Sequence, residues 1–169
     1  VIVVDDCSKD KAYESIHKCK LIKDLKVIRN TKQMGQSFSI KNGILNSKYN
    51  VIVTLDGDGQ NNPKDIPILL KNFNKHNVHL VGGIRYKRKD KLIKIVSSII
   101  ANYIRRLFLN DDCLDTGCAL KVFDKETFLK FPFFNGIHRF LPALFKGYGK
   151  KTMFINVDHR ERVHGVSKY

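Results

Sequence analysis

An α/β fold with a doubly wound, mostly parallel sheet is what this sequence predicts, and three features predict it. Short β-branched, apolar segments alternate with segments of helical spacing through residues 1 to 81, the pattern of strands covered by crossover helices. The strand-like segments at 1–4 and 51–55 run straight into acidic turns, and ligands of open α/β sheets bind beyond the carboxyl ends of the strands. With 169 residues and 43% hydrophobic content, the chain is long enough for one sizeable core and a single domain.

In order, Val1-Ile2-Val3-Val4 is a buried strand that begins without a preceding segment, so the chain is expected to be a fragment of a longer one. It leads into Asp5-Asp6-Cys7-Ser8-Lys9-Asp10, where Asp5 and Asp6 are candidates to accept hydrogen bonds from a base or ribose. Ser8 or Asp10 is equally suited to cap the next helix. Residues 11–20 are helical, 25–28 form a second strand ended by Arg29-Asn30, and 35–46 form a second helix.

Val51 to Leu55 suits a strand buried on both faces. Polarity then inverts within one step: Asp56, Asp58 and Gln60 alternate with Gly57 and Gly59. Carboxylate and amide oxygens at that spacing suit magnesium or manganese, and two carboxylates leave ligand positions for a substrate pyrophosphate. The same letters suit an Asp-Gly hairpin turn, although Asn61-Asn62-Pro63 opens a helix and not a second strand. Asn62 is the expected N-cap, Pro63 the first helical residue, and Ile66, Leu69, Leu70 and Phe73 the face that packs on the sheet. Val78 to Val81 returns as a strand into Gly82-Gly83.

Composition changes at Arg85. The basic run Arg85-Tyr86-Lys87-Arg88-Lys89-Asp90-Lys91 precedes a wide apolar stripe from Leu92 to Phe108 that carries Lys94, Arg105 and Arg106 on its other face. A basic amphipathic helix suits a membrane surface, and a buried helix with a solvated charged edge suits it equally. Ser98 and Asn102, four apart, share one face. Asp115 in the segment 111–118 reads either as a turn aspartate or as a site carboxylate. Ala119 to Phe123 is a strand, a short helix starts at Asp124, Phe131 to Phe134 is an aromatic loop, and His138 to Pro142 opens or interrupts a further helix. Thr152 to Val157 is the last strand. The closing segment 159–169 gathers Arg160, Arg162, Lys168 and Gly165 into a loop suited to phosphate.

The formal net charge of +15 favours anionic partners. Lysine supplies most of it, and solvated lysines explain it as well. No recognition-helix or stacking-platform pattern supports a nucleic-acid-binding module. The 4 cysteines show no metal-binding spacing and are expected as free thiols. No apolar run reaches the length of a transmembrane helix.

Taken together, Val4 to Asp10, Asp56 to Pro63, Arg85 with Arg88 and Asp90, Ser98 to Asn102, Asp115 to Cys118, Phe133 to Pro142, His159 to Arg162 and Gly165 to Tyr169 resemble the family-2 glycosyltransferases. The resemblance is narrower still to the polyprenyl-phosphate glycosyltransferases. It implies a GT-A, Rossmann-like sandwich with its first strand missing, in one catalytic domain over 1–169 truncated at both ends. The implied reaction is metal-dependent, inverting transfer of a sugar from a nucleotide-diphosphate sugar to a dolichyl or undecaprenyl phosphate, at the cytoplasmic face of a membrane. Asp56, Asp58 and Gln60 would hold Mg²⁺ or Mn²⁺, and Asp5 and Asp6 would contact base or ribose. Arg85, Arg88 and Ser98 would take the acceptor phosphate, Arg160, Arg162 and Lys168 would close over phosphates, and Asp115 would orient acceptor or sugar. The competing reading within the family is transfer to a saccharide hydroxyl, which makes Asp115 a general base. Relative to the family pattern, the opening Pro-x-Tyr-Asn-Glu segment is absent, Cys7 replaces glycine or serine, and Glu161 stands where proline is frequent.

Overall fold

The computed structural model describes residues 1–86, 109 and 111–160. They fall into two compact units, one of residues 1–50 with 132–138 and one of residues 51–131 with the chain from 139 onward.

In the first unit, β1 (Ile2–Asp5) and β2 (Lys26–Arg29) pair in parallel, Val3 opposite Val27 and Asp5 opposite Arg29. Helix α1 (Ala12–His17) lies in the crossover between them, shorter than the 11–20 expected. Helix α2 (Gln36–Leu45) matches its expected span, with Gly35 as N-cap and Asn46 as C-cap. It packs close on β1: a Cβ added at Gly43 would sit 3.3 Å from Val4 Cγ2. Segment 132–138 joins this unit through Ser37, whose Oγ accepts from Gly136 N and lies 2.8 Å from His138 Nδ1. Phe133 completes the contact, edge-on to Phe38 and beneath Lys41 Nζ. His138 thus serves as an anchor in this unit.

The second unit is built on a four-stranded sheet in the order β3-β5-β4-β6, comprising β3 (Val51–Thr54), β4 (Leu80–Tyr86), β5 (Lys121–Asp124) and β6 (Thr152–Asp158). Strands β3, β4 and β6 run the same way, and β5 opposes them, pairing antiparallel with both β3 and β4. The expected parallelism therefore survives in strand direction, but β5 is inserted between β3 and β4 as the reversed member. Strand β4 also runs through Gly82-Gly83 and ends at Tyr86, longer than predicted, because β6 pairs with it along its whole length.

Asn62 caps the short 3₁₀ turn Pro63–Asp65, its Oδ1 accepting from Lys64 N, and α3 (Ile66–Lys75) follows. Leu69, Val78, Val81, Cys118, Leu120, Val122 and Val157 form the core between α3 and the sheet. A second cluster gathers aromatic rings. Asp124 Oδ1 caps α4 (Lys125–Leu129) at 2.8 Å from Thr127 N, and α5 spans Ile137–Gly147. Phe123, Phe128, Phe131, Phe145 and Tyr148 stack edge to face or tilted at centroid separations of 4.9 to 6.3 Å, a geometry favoured by the ring quadrupoles. All four cysteines are free, Cys113 and Cys118 buried. Among the described residues, no helix is long and apolar enough to cross a membrane.

Candidate functional site

Each unit carries its own share of the expected site residues. In the first, the acidic turn after β1 is closed by its own carboxylates. Asp5, 6% exposed, accepts from Ser8 N and ion-pairs with Arg29 Nε at 3.3 Å. Asp6 accepts from Asn30 Nδ2 and Met34 N at 2.8 Å through Oδ1, and from Gly35 N at 2.9 Å through Oδ2. Desolvation acts to raise the Asp6 pKa, but hydrogen bonds from Asn30, the Met34 and Gly35 backbone and Ser39 outweigh it and hold the carboxyl below its ordinary value. No sequence pattern announces these partners. Asn30 and the 34–35 amides lie far along the chain and reach Asp6 only because β2 pairs beside β1.

In the second unit, β3 delivers Asp56, Gly57, Asp58 and Gly59 as a turn at its carboxyl end. Asp58 Oδ1 accepts from Gln60 N at 3.1 Å, the local bond that folds the segment back, and Gly59 supplies the positive φ of 75° that the turn requires. No group of three or more His, Cys, Asp or Glu able to hold a metal occurs among the described residues. Two carboxylates and an amide are hard oxygen donors that fit a magnesium-like ion, provided that the ligand's own oxygens complete the shell.

The same unit places Asp115 directly against Arg85. Arg85 Nε donates to Asp115 Oδ2 at 2.7 Å, Nη2 to Oδ1 at 2.7 Å, and the Arg85 backbone N–H to Oδ2 at 3.2 Å. The fork is largely buried, with side-chain exposures of 16% and 7%. Bidentate guanidinium–carboxylate pairs of this kind are strong and directional. Gly117 makes room for it: an added Cβ would meet Arg85 Nη2 at 2.8 Å. Beneath the turn lies Lys121, 4% exposed, its Nζ donating to the carbonyls of Thr116 and Cys118. Burial pushes the Lys121 pKa below its ordinary value, opposed by Cys118, Cys113, Asp115 and Asp56 nearby. Burial likewise pushes the Cys118 thiol up.

Arg160 emerges from β6 onto the segment that follows the acidic turn. Its N–H donates to Gln60 O at 2.8 Å and its Nη2 to Asn62 Oδ1 at 2.7 Å, while Asn61 bridges His159. Asp158 N donates to Asp65 Oδ2, and Asn62 Nδ2 reaches Asp158 Oδ2 at 3.4 Å. The Arg160 guanidinium, expected over phosphates, is thus engaged with Asn62. Arg88, Ser98, Arg162 and Lys168 lie outside the described residues, as does the whole amphipathic stripe. Sequence reasoning missed Lys121, Asn30 and the Gly117 contact. A lysine inside the apolar run Ala119 to Phe123 was the one available signal, since a charge in a buried strand needs a partner.

A mixed sheet with an Asp-x-Asp turn at the end of β3 is the arrangement of a GT-A glycosyltransferase. Solved structures agree: glucosyl-3-phosphoglycerate synthase from Mycobacterium tuberculosis, in complex with Mn²⁺, uridine diphosphate and glucosyl-3-phosphoglycerate, superposes with a TM-score of 0.71 at 17% identity, covering 95% of this chain and 61% of that one. Residues 1–132 match the family described as glycosyl transferase family 2, and the chain belongs to it. It is 32% identical over 174 residues to the dodecaprenyl-phosphate galacturonate synthase of Rhizobium johnstonii, covering 100% of this chain and 52% of that protein. It is 29% identical over 171 residues to an undecaprenyl-phosphate 4-deoxy-4-formamido-L-arabinose transferase of Pectobacterium carotovorum, again covering 100% and 52%. The chain therefore spans about half the length of these curated relatives.

Proposed function

We propose that this chain is the catalytic part of an enzyme that transfers a sugar, with inversion, from a nucleotide-diphosphate donor to a polyprenyl phosphate at a membrane surface. The observation that carries the choice of acceptor is the Arg85–Asp115 fork. Arg85 donates three N–H bonds to Asp115, and this buried guanidinium favours the ionised carboxylate, so taking up a proton, as a general base must, works against the pair. A saccharide hydroxyl needs such a base. A phosphate monoester does not, because its second ionisation lies at about pH 6 and the attacking oxygen is already anionic. Two relatives named for prenyl-phosphate acceptors support the same choice.

On this reading Asp115 orients Arg85, and Arg85 faces the anionic acceptor together with Arg88 and Ser98. Asp56, Asp58 and Gln60 would hold Mg²⁺ or Mn²⁺, which when bound supplies charge neutralisation for the leaving diphosphate. The neighbour that holds Mn²⁺ and uridine diphosphate supports such an ion. Asp5 and Asp6 remain the candidates for base or ribose, offering the acceptor capacity that their internal partners leave over. Arg162 and Lys168 are the phosphate clamp, with Arg160 fixing the start of their segment on Asn62.

The test is incubation of the full-length protein with labelled nucleotide sugars, a divalent metal, and either undecaprenyl phosphate or a free oligosaccharide. Labelled lipid formed only with metal is the expected result. Label in the oligosaccharide, with a rate that falls as a single carboxyl group is protonated, would overturn the acceptor assignment in favour of base catalysis.

A further inference from the structure

We propose that Lys121 is a positioning residue: its buried ammonium locks the turn 115–118, and through that turn it fixes the Asp115–Arg85 fork for an anionic ligand. The inference rests on the phosphate-acceptor reading for its kinetic consequence, but its structural half stands on the geometry alone.

The carbonyls of this stretch are taken one by one. Lys121 Nζ donates to Thr116 O at 3.3 Å and to Cys118 O. Thr54 Oγ1 donates to Ala119 O at 2.7 Å, and Gly83 N to Leu120 O at 2.9 Å. The turn also closes on itself, Cys118 N reaching Asp115 O. The two Lys121 bonds fall on either side of Gly117, the residue against which the Arg85 guanidinium rests. Lys121 itself is held in place, since its backbone pairs with Thr54 of β3 on one side and Gly82 of β4 on the other. The first of those strands leads into Asp56, and the second carries Arg85.

An ammonium suits this place because it offers three donors and no acceptor, whereas an apolar side chain of the same length would take the donor away from two carbonyls. A misplacement of about 1 Å at such a fork costs on the order of 100-fold in rate.

The experiment compares the full-length protein with Lys121→Arg, Lys121→Gln and Lys121→Met, by hydrogen–deuterium exchange and by steady-state kinetics with undecaprenyl phosphate. In Lys121→Met, exchange of the amides at 115–119 is expected to rise at least about tenfold while β6 keeps its protection. The acceptor kcat/KM should fall about 10- to 100-fold, chiefly through KM, with the donor KM within about twofold. Lys121→Arg, which keeps charge and donors, should restore most of the activity. Wild-type exchange at 115–119 in Lys121→Met overturns the proposal, and so does an opened turn with wild-type kinetics. Should Lys121→Met fail to fold, Lys121→Gln decides: its shorter amide reaches at most one carbonyl, so unchanged exchange there is equally fatal. If the wild type transfers no sugar to any acceptor, the transferase reading fails, and the exchange result still determines whether Lys121 locks the turn.

Discussion

The acidic turns of the two units look alike in sequence and differ in their partners. Asp5 ends β1, Asp6 follows it, and both are surrounded by N–H groups of their own unit: the backbone at Ser8, Met34 and Gly35, the Asn30 amide and the Arg29 guanidinium. Those bonds hold together the loops at 6–8 and 30–35. In the second unit, Asp58 accepts from the Gln60 amide two residues on, and Asp115 is held by a guanidinium over a buried ammonium. Asp58 stands between two glycines, and Gly117 lies against the Arg85 guanidinium that Asp115 holds. An aspartate in a turn is therefore not one signal but two, and its partners decide which it is.

The comparison is sharpened most by the replacement of Asp56 and Asp58 together with asparagine. Transfer activity should fall about 100-fold or more, as the proposed role of these carboxylates in holding a divalent ion requires. Stability should fall by about 1–2 kcal/mol at most: the asparagine that replaces Asp58 keeps an oxygen for the Gln60 amide, while the Asp56 replacement removes a negative charge near Lys121. Urea unfolding and Mn²⁺ titration check both halves. A large stability loss with unchanged metal affinity would make this turn structural and erase the contrast.

Gly117→Ala should come next. The new methyl displaces the Arg85 guanidinium from a 2.8 Å approach, so acceptor kcat/KM should drop about tenfold while stability falls by about 1 kcal/mol. Kinetics with varied acceptor and a thermal melt distinguish this from general unfolding.

Asp6→Asn probes the other turn and should act on stability and its pH dependence. The folded state holds the Asp6 carboxyl below its ordinary value of 3.8, so the ionised form is the one that stabilises. That contribution is fully present above the unfolded pKa and is lost as pH falls through the folded pKa. At pH 7 the variant should be less stable than wild type by about 1 kcal/mol, and the difference should shrink as acid protonates the wild-type group. Denaturant unfolding at neutral and acid pH measures it. A difference that grows on acidification would contradict the assignment.

The smallest effect is expected from Asn62→Ala, which removes the acceptor of Lys64 N and of Arg160 Nη2. Loss of a cap of this type costs about 0.5–1 kcal/mol. Faster amide exchange at 158–160, with β3 unchanged, is the accompanying sign.

Much of this molecule is legible without coordinates because the relevant forces are local. Periodicity announced β1, β2, β3, α2 and α3, and Asn62-Pro63 announced a helix start, since capping and burial patterns act within a few residues. The family motifs likewise pointed to the acidic turn at 56–60 and to Arg85 and Asp115. What depended on the tertiary structure was partnership. That Asp115 grips Arg85 across 30 residues, that β5 runs against its neighbours, and that Lys121 ends under the turn at 115–118 all depend on strand order and register. Those are set by the packing of the whole sheet, where segments distant in sequence become adjacent, and no local pattern encodes them.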